Sequence, residues 1–323
     1  MVDFRKGEFM SGAFQTTIKT ECALGGVGLH SGAAVTARLL PAPAGAGVVF
    51  RRVDLIASAA GGQHDRVRQT TIRAHAENVT TTRLGTTLEN EHGASISTVE
   101  HLMAALSGCG VDNVLVEVDG PELPILDGSS APFVEMIEAA GIRTLKTVRR
   151  SIVLTDTVRV EDGDRFIEIA PFDGFAVDVE IDFADAAIGR QGASFENAAG
   201  AFGADLADAR TFCMRSDIDA MRNAGLALGG SLDNAIVVED GAVLNEGGLR
   251  REDEFARHKA LDLIGDLYLA GAPLKGRVTA FKPGHDLNVK LAQAVLAATD
   301  AWEWAEERRD APQTVDAREA ALV

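Results

Sequence analysis

Residues 97–141 read STVEHLMAALSGCGVDNVLVEVDGPELPILDGSSAPFVEMIEAAG, and the order of patterns in this stretch decides the fold. A helical segment carrying His101 gives way to a glycine turn. An alternating strand, VDNVLVEVDG, follows, then a Gly/Ser/Pro loop, DGSSAP, and an apolar-periodic helix, FVEMIEAAG. The same order recurs after His258: a turn at Gly271 to Pro273, the strand GRVTAF, the loop KPGHD and the helix LNVKLAQAVLAA. Gly128 and Gly284 fall at nearly the same distance past the two histidines. The match is one of arrangement and not of residue identity, which is the mark of an old internal duplication. Alternating runs precede each unit, AVTARLLPA and GVVFRRVD in the first half and SIVLTDTVRVED, FIEIAP and FAVDVEIDF in the second. Strands and helices in this order predict an α+β protein of two similar domains, each a sheet layered with helices. The expected bounds are 1–147 and 148–302, with the join at the charged stretch from Leu145 to Arg150 and a polar C-terminal tail over 303–323.

Composition narrows the function classes. The chain has 323 residues, of which 46% are hydrophobic, and a mean hydropathy of +0.05, enough apolar material for about two ordinary domains. No apolar run of about 18 residues occurs, and MVDFRKGEFMSGAF interleaves charges with its apolar residues, so neither a membrane span nor an export signal is expected. Cys22, Cys109 and Cys213 are far apart and form no C-x-x-C pair, which fits a reducing cytoplasm and argues against a cysteine-rich metal site. A net charge of −17 argues against binding nucleic acid through its phosphates. An anionic small molecule would instead need a local basic patch, for which Lys259, Lys275, Arg277, Lys282 and Lys290 are the candidates. A monomer is expected.

Chemistry is suggested first by EFARHKALDLIGDLYLA, Glu254 to Ala270. His258 and Asp262 stand four residues apart, on one helical face, and form two ligands for a divalent metal such as zinc; a third from elsewhere would leave one position open. Asp266 lies about 12 Å of rise beyond His258, too far to be that third ligand. The competing reading makes all three the solvated stripe of an amphipathic helix whose core face is Phe255, Leu261, Ile264, Leu267 and Tyr268. His101 can supply the third ligand, because Ala104, Ala105 and Gly108 on its own face let another element approach closely. Glu100 has two readings. Ser97-x-x-Glu100 matches a capping box, while a carboxylate beside a metal ligand is where a general base would sit. His285, in KPGHDLN before a helix start, suits an anionic group. His30 lies in the glycine-rich GGVGLHSG, where a turn-capping and a direct role are both open. DARTFCM and the following GLALGGSLDNAIV read as a mobile loop. His64, His75 and His92 lie in polar contexts and are given no role.

Taken together, TTIKTECALGGVGLHSG, ISTVEHLMAALSGCGVDNVLVEVDGPELPILDGSSAPFV, DARTF, LGGSLDNAIVV, LNEGGLRREDEFARHKALDLIGDL and FKPGHDLNVKLAQAV resemble the zinc-dependent UDP-3-O-acyl-N-acetylglucosamine deacetylases over almost the whole chain. These enzymes carry out the committed step of lipid A synthesis in Gram-negative bacteria. The resemblance implies two similar α+β domains with the active site between them, one catalytic Zn2+ ion, and UDP-3-O-acyl-N-acetylglucosamine as the small-molecule substrate. It implies zinc held by His101, His258 and Asp262, Glu100 as general base, and His285 as electropositive or acid partner for the departing amine, with Asp266 orienting it. Thr211 resembles the hydroxyl donor to the oxyanion. Lys259 and Lys282 correspond to side chains facing the anionic part of the substrate, and Phe183 and Phe212 to the nucleotide contacts. Met214, Ile218 and Ala227 would line the acyl passage. The TTTRLGTT segment and the acidic tail carry no implied role. A metal-bearing binding protein without turnover, and a zinc amidohydrolase acting on a different N-acyl substrate, are the two competing expectations.

Overall fold

The computed structural model describes residues 14–198 and 200–306. In the first half, five strands lie in the order Cys22–Val27, Ala34–Pro41, Val114–Val118, Val48–Arg52 and Thr71–Arg73. In the second half the order is Val158–Asp162, Arg165–Ala170, Leu274–Phe281, Phe175–Asp182 and Arg190–Glu196. The directions match too. Val114–Val118 runs antiparallel to Ala34–Pro41 and parallel to Val48–Arg52, and Leu274–Phe281 runs antiparallel to Arg165–Ala170 and parallel to Phe175–Asp182. The outer strands are antiparallel in both halves. The repeated arrangement read from the sequence is therefore a repeated topology, and the fold is α+β.

Each central strand alternates between buried and half-buried residues, VLVEV in the first half and LKGRVTAF in the second, as a sheet with one covered face requires. The cover is helical. Glu254–Leu267 packs on Phe175–Asp182 and Arg190–Glu196 on one side and on the helix Glu100–Gly108 on the other. His285–Ala297 lies beside it and against Val158–Asp162, while Ala131–Ala140 packs on Glu100–Gly108 and on Cys22–Val27. A helix held between a sheet and another helix has no solvated side. His258, Asp262 and Asp266 are accordingly buried together with Phe255, Leu261, Ile264, Leu267 and Tyr268, and the reading of those polar residues as a solvated stripe is overturned. Contact between the two central helices depends on Gly265, where an added Cβ would lie 2.1 Å from the Glu100 carbonyl oxygen. At Gly271, φ of +81° ends the short turn Tyr268–Ala270 and turns the chain toward the next strand.

Three segments differ from their sequence reading. The charged stretch at the expected join is two successive strands: Ile142–Val148 pairs back with Phe14–Ile18, and Arg150–Leu154 pairs with Leu274–Phe281 and with Trp302–Glu306. Residues 303–306, read as the start of the tail, are thus part of a sheet edge, where Trp304 stacks under the Arg150 guanidinium; residues 307–323 lie outside the described residues. The stretch read as one loop after Asp208 carries regular elements at its ends: Phe212–Met214 pairs parallel with Ile236–Glu239, with the helix Arg215–Asn223 and the turns that follow it between them. The apolar FCM and AIVV runs at its two ends supply the packing that a loop assignment ignored.

Candidate active site

The contact between the two central helices gathers the candidate ligands. Asp262 Oδ1 lies 3.4 Å from His258 Nε2 and 3.6 Å from His101 Nε2, and the three ligand atoms fall within 4.8 Å of one another. A tetrahedral ion with ligands at about 2.0–2.1 Å would separate them by about 3.3 Å, so little movement is needed to enclose one. Two further observations fit a metal. Asp262 Oδ1 is fully buried and has no hydrogen-bond partner in the protein, which is costly unless a cation satisfies it. His258 Nδ1 sits 3.0 Å from the Ala209 carbonyl, so it carries the proton and turns the Nε2 lone pair toward Asp262. Burial pulls the His258 pKa down to about 3, which keeps the ring neutral, as a ligand must be. Asp262 Oδ2 accepts from Lys259 Nζ at 2.8 Å. Burial works to raise the Asp262 pKa, but His258, Lys259 and His285 around it hold it well below the usual carboxylate range.

Beside this corner stand a carboxylate and an imidazole of opposite disposition. Glu100 is buried, and its Oε2 accepts from the Thr86 amide at 3.0 Å. The capping box does not form: the Ser97 amide donates to the Pro121 carbonyl, its hydroxyl accepts from Thr87, and the helix starts at Glu100 itself. Burial raises the Glu100 pKa, against the lowering effect of His285 and His101. His285 is the first residue of its helix and not a loop residue. Its Nδ1 lies 2.8 Å from Asp266 Oδ2, and its Nε2 lies 3.7 Å from Glu100 Oε1 and 4.0 Å from Asp262 Oδ2. Burial disfavours the charged ring, but Asp266, Glu100 and Asp262 outweigh it and push the pKa up to about 9.

The remaining candidates are spread more widely. Thr211 is anchored by its amide to the Gly128 carbonyl at 2.8 Å and stands two residues from Ala209, which holds His258. Phe212 packs between Phe255, Phe183 and the His258 ring, at centroid distances of 4.9, 5.6 and 6.2 Å, with Lys259 Nζ 5.6 Å from its centre. Phe183 is 37% exposed. Met214 ends its short strand and packs on the core, while Ile218 is half-buried on the helix Arg215–Asn223, which has no buried residue. The five cations do not form one patch at the metal corner. Lys259 reaches Asp262, whereas Lys282 pairs with Asp164 and Asp182, next to Phe183, and Arg277 pairs with Asp178. His30 bridges two loops, its Nε2 3.0 Å from the Leu84 carbonyl and its Nδ1 accepting from the Ala227 amide at 3.4 Å.

Sequence reading missed four groups. Thr86 and Asn288 both donate to Asp266, at 2.6 and 3.0 Å; Asn288 could have been found from its place one turn past His285. Arg210 and the wholly buried Glu254 form a bidentate pair that fixes the segment just before Thr211. Two histidines and a carboxylate that could hold a metal ion, with a second carboxylate and a charged imidazole alongside, fit a metal-dependent hydrolase. The chain belongs to the LpxC family, UDP-3-O-acyl N-acetylglycosamine deacetylase, whose family model matches residues 15–297. The reaction is hydrolysis of the N-acetyl group of the acylated UDP-sugar in lipid A synthesis, and the alternative of a different N-acyl substrate gains no support.

Proposed function

We propose that His101, His258 and Asp262 hold a single Zn2+ ion, and that Glu100 and His285 divide the proton transfers of amide hydrolysis between them. The observation that carries this reading is the orphaned Asp262 Oδ1 between two imidazoles, with Glu100 Oε1 and His285 Nε2 only 3.7 Å apart beside it. When bound, the ion supplies Lewis acidity that polarises the acetamide carbonyl and makes water a better nucleophile. Glu100 Oε1 accepts the proton of the water that adds to the carbonyl carbon. Thr211 donates to the oxyanion of the tetrahedral adduct. Its collapse breaks the C–N bond, and the departing nitrogen takes a proton from His285, which Asp266 orients and keeps charged. The products are acetate and the free 2-amino sugar nucleotide.

Lys259 and Lys282 face the anionic part of the substrate in this reading, Phe183 and Phe212 the nucleotide, and Met214, Ile218 and Ala227 the acyl chain. The two halves, meeting near residue 148 and the second reaching the strand Trp302–Glu306, are two domains that share the site. The reading keeps a monomer, and a cytoplasmic protein, in which Cys22, Cys109 and Cys213 stay reduced as the free thiols they are here. No described helix is long and apolar enough to cross a membrane. The test is metal content measured together with acetate release from a 3-O-acylated UDP-N-acetylglucosamine. Chelation should abolish release and Zn2+ should restore it; full turnover by metal-free protein would overturn the assignment.

A further inference from the structure

Glu100 and Asp266 come from different helices, and what aligns them is a residue of neither. Thr86 is wholly buried. Its amide donates to Glu100 Oε2 at 3.0 Å and its hydroxyl donates to Asp266 Oδ1 at 2.6 Å. Each bond occupies the carboxylate oxygen that faces away from His285. Glu100 Oε1 is thereby left toward His285 Nε2, and Asp266 Oδ2 toward His285 Nδ1. A terminal carboxylate rotates freely between broad wells, so a fixed donor on one oxygen is what sets the direction of the other. The preceding residue is a glycine, and a Cβ there would lie 3.1 Å from Glu100 Oε1, crowding the oxygen that the alignment leaves clear. Thr86 is itself held: its carbonyl accepts from the Val99 amide, and the Leu84 carbonyl is bonded to the His30 ring.

We propose that Thr86 is a positioning residue for deacetylation, aligning the Glu100 base and the Asp266–His285 pair through one amide and one hydroxyl. The inference rests on the roles given to those three residues above. The amide survives any substitution except proline, so side-chain variants isolate the hydroxyl. Thr86→Ala and Thr86→Ser lose the same methyl and differ only in that group; Thr86→Val removes the hydroxyl and keeps the shape.

Steady-state acetate release and metal content of the Zn2+-loaded full chain make the test. Thr86→Ala and Thr86→Val should lower kcat by about 10- to 100-fold, the range of a hydrogen bond to a charged group, with KM and metal content unchanged. Thr86→Ser should stay within about 3-fold of the parent, since it keeps the donor. In an Asp266→Asn background, Thr86→Ala should cost at most a few-fold more, because the hydroxyl there meets a neutral amide in place of the carboxylate it served. Should Thr86→Val fold poorly, the Ala and Ser pair carries the same contrast. Equal kcat in Thr86→Ala and Thr86→Ser, or a full additional loss in the Asp266→Asn background, overturns the proposal in favour of a merely structural threonine. If Asp266→Asn itself turns over like the parent, the role of Asp266 fails and the inference with it; if Asp266→Asn falls and Thr86→Ala does not, the inference on Thr86 fails alone.

Discussion

Replacing Asp266 by Asn changes one charge and little else, and its effect on the pH profile can be worked from distances. Three carboxylates face His285, at 2.8 Å for Asp266, 3.7 Å for Glu100 and 4.0 Å for Asp262. If each attracts the imidazolium as the inverse of distance in a common medium, Asp266 supplies about two-fifths of the total. Its share grows when Asp262 serves a metal ion. In the variant, the amide oxygen can still accept from His285 and Asn288, and the amide nitrogen can donate to the Thr86 hydroxyl, which turns to accept; the local fold survives. An opposite charge this close is worth about 1 to 3 pH units to a titrating partner.

The sign follows from the role. His285 delivers a proton only while charged, so turnover is lost as the pH rises through its pKa of about 9 in the parent. A bound divalent cation opposes the charged ring, which sets that value as an upper bound for the loaded enzyme. Loss of Asp266 moves the basic limb of kcat/KM down by about 1 to 3 pH units, giving a deficit that deepens above neutrality and shrinks toward pH 6. The acidic limb, set by Glu100 in this reading, should move down as well but by less, because burial is the main cause of that group's raised pKa and the Asp266 charge only adds to it. Acetate release measured across pH, with zinc content determined at each point, is the assay. A basic limb that stays put in Asp266→Asn, or that survives in His285→Ala, assigns the limb to another group and refutes the pairing.

Glu100→Gln keeps an oxygen for the Thr86 amide, so it should retain fold and zinc while losing roughly 2 to 4 orders of magnitude in turnover; a drop in Tm without a drop in turnover would restore the helix-capping role. His258→Ala removes one of three protein ligands and should lower zinc occupancy after dialysis, as read by elemental analysis; full occupancy would remove His258 from the site. Gly265→Ala places a methyl 2.1 Å from the Glu100 carbonyl oxygen, where ordinary contact begins at 3.4 Å. The two central helices must then separate by an ångström or so, with about 1 to 3 kcal/mol lost in chemical denaturation and weaker zinc retention; unchanged zinc affinity would show that the ligands do not depend on this approach.

The fold class was legible because duplication repeats a pattern, and a pattern survives in one dimension. The shared direction of His258 and Asp262 on Glu254–Leu267 was legible for the same reason, since a helix turns sequence spacing into direction. Glu100 was ambiguous because Ser97 and Glu100 satisfy a local rule on paper, while their partners in the fold, Pro121 for the Ser97 amide and Thr86 for the carboxylate, come from elsewhere. Thr86 was invisible. It sits in TTTRLGTT, a segment with no periodicity, and its hydroxyl meets Asp266 across 180 positions of chain. The burial of His258 and Asp266 was equally out of reach, because it depends on a second helix covering the polar face.

The duplication also accounts for why one site exists and not two. Aligning the central helices on His101 and His258 places Gly108 opposite Gly265, each seven residues past its histidine and each unable to take a Cβ, against the Phe202 ring in one case and the Glu100 carbonyl in the other. The same alignment sets Ala105 opposite Asp262 and Cys109 opposite Asp266. Ala105 has no ligand atom, and burial pushes the Cys109 thiol up to about 12, so it carries no charge near neutrality. The first copy therefore lacks counterparts of both the proposed second ligand and the carboxylate that sustains a charged imidazole. The loops diverge in step. After Gly128, Ser129 bonds to Asp127 and Ser130 to the His101 carbonyl, bracing the ligand helix, whereas after Gly284 the next residue is His285, bonded to Asp266. In the proposed reading one copy contributes the base and a single ligand and the other two ligands and the acid, and the close contact at Gly265 brings them together.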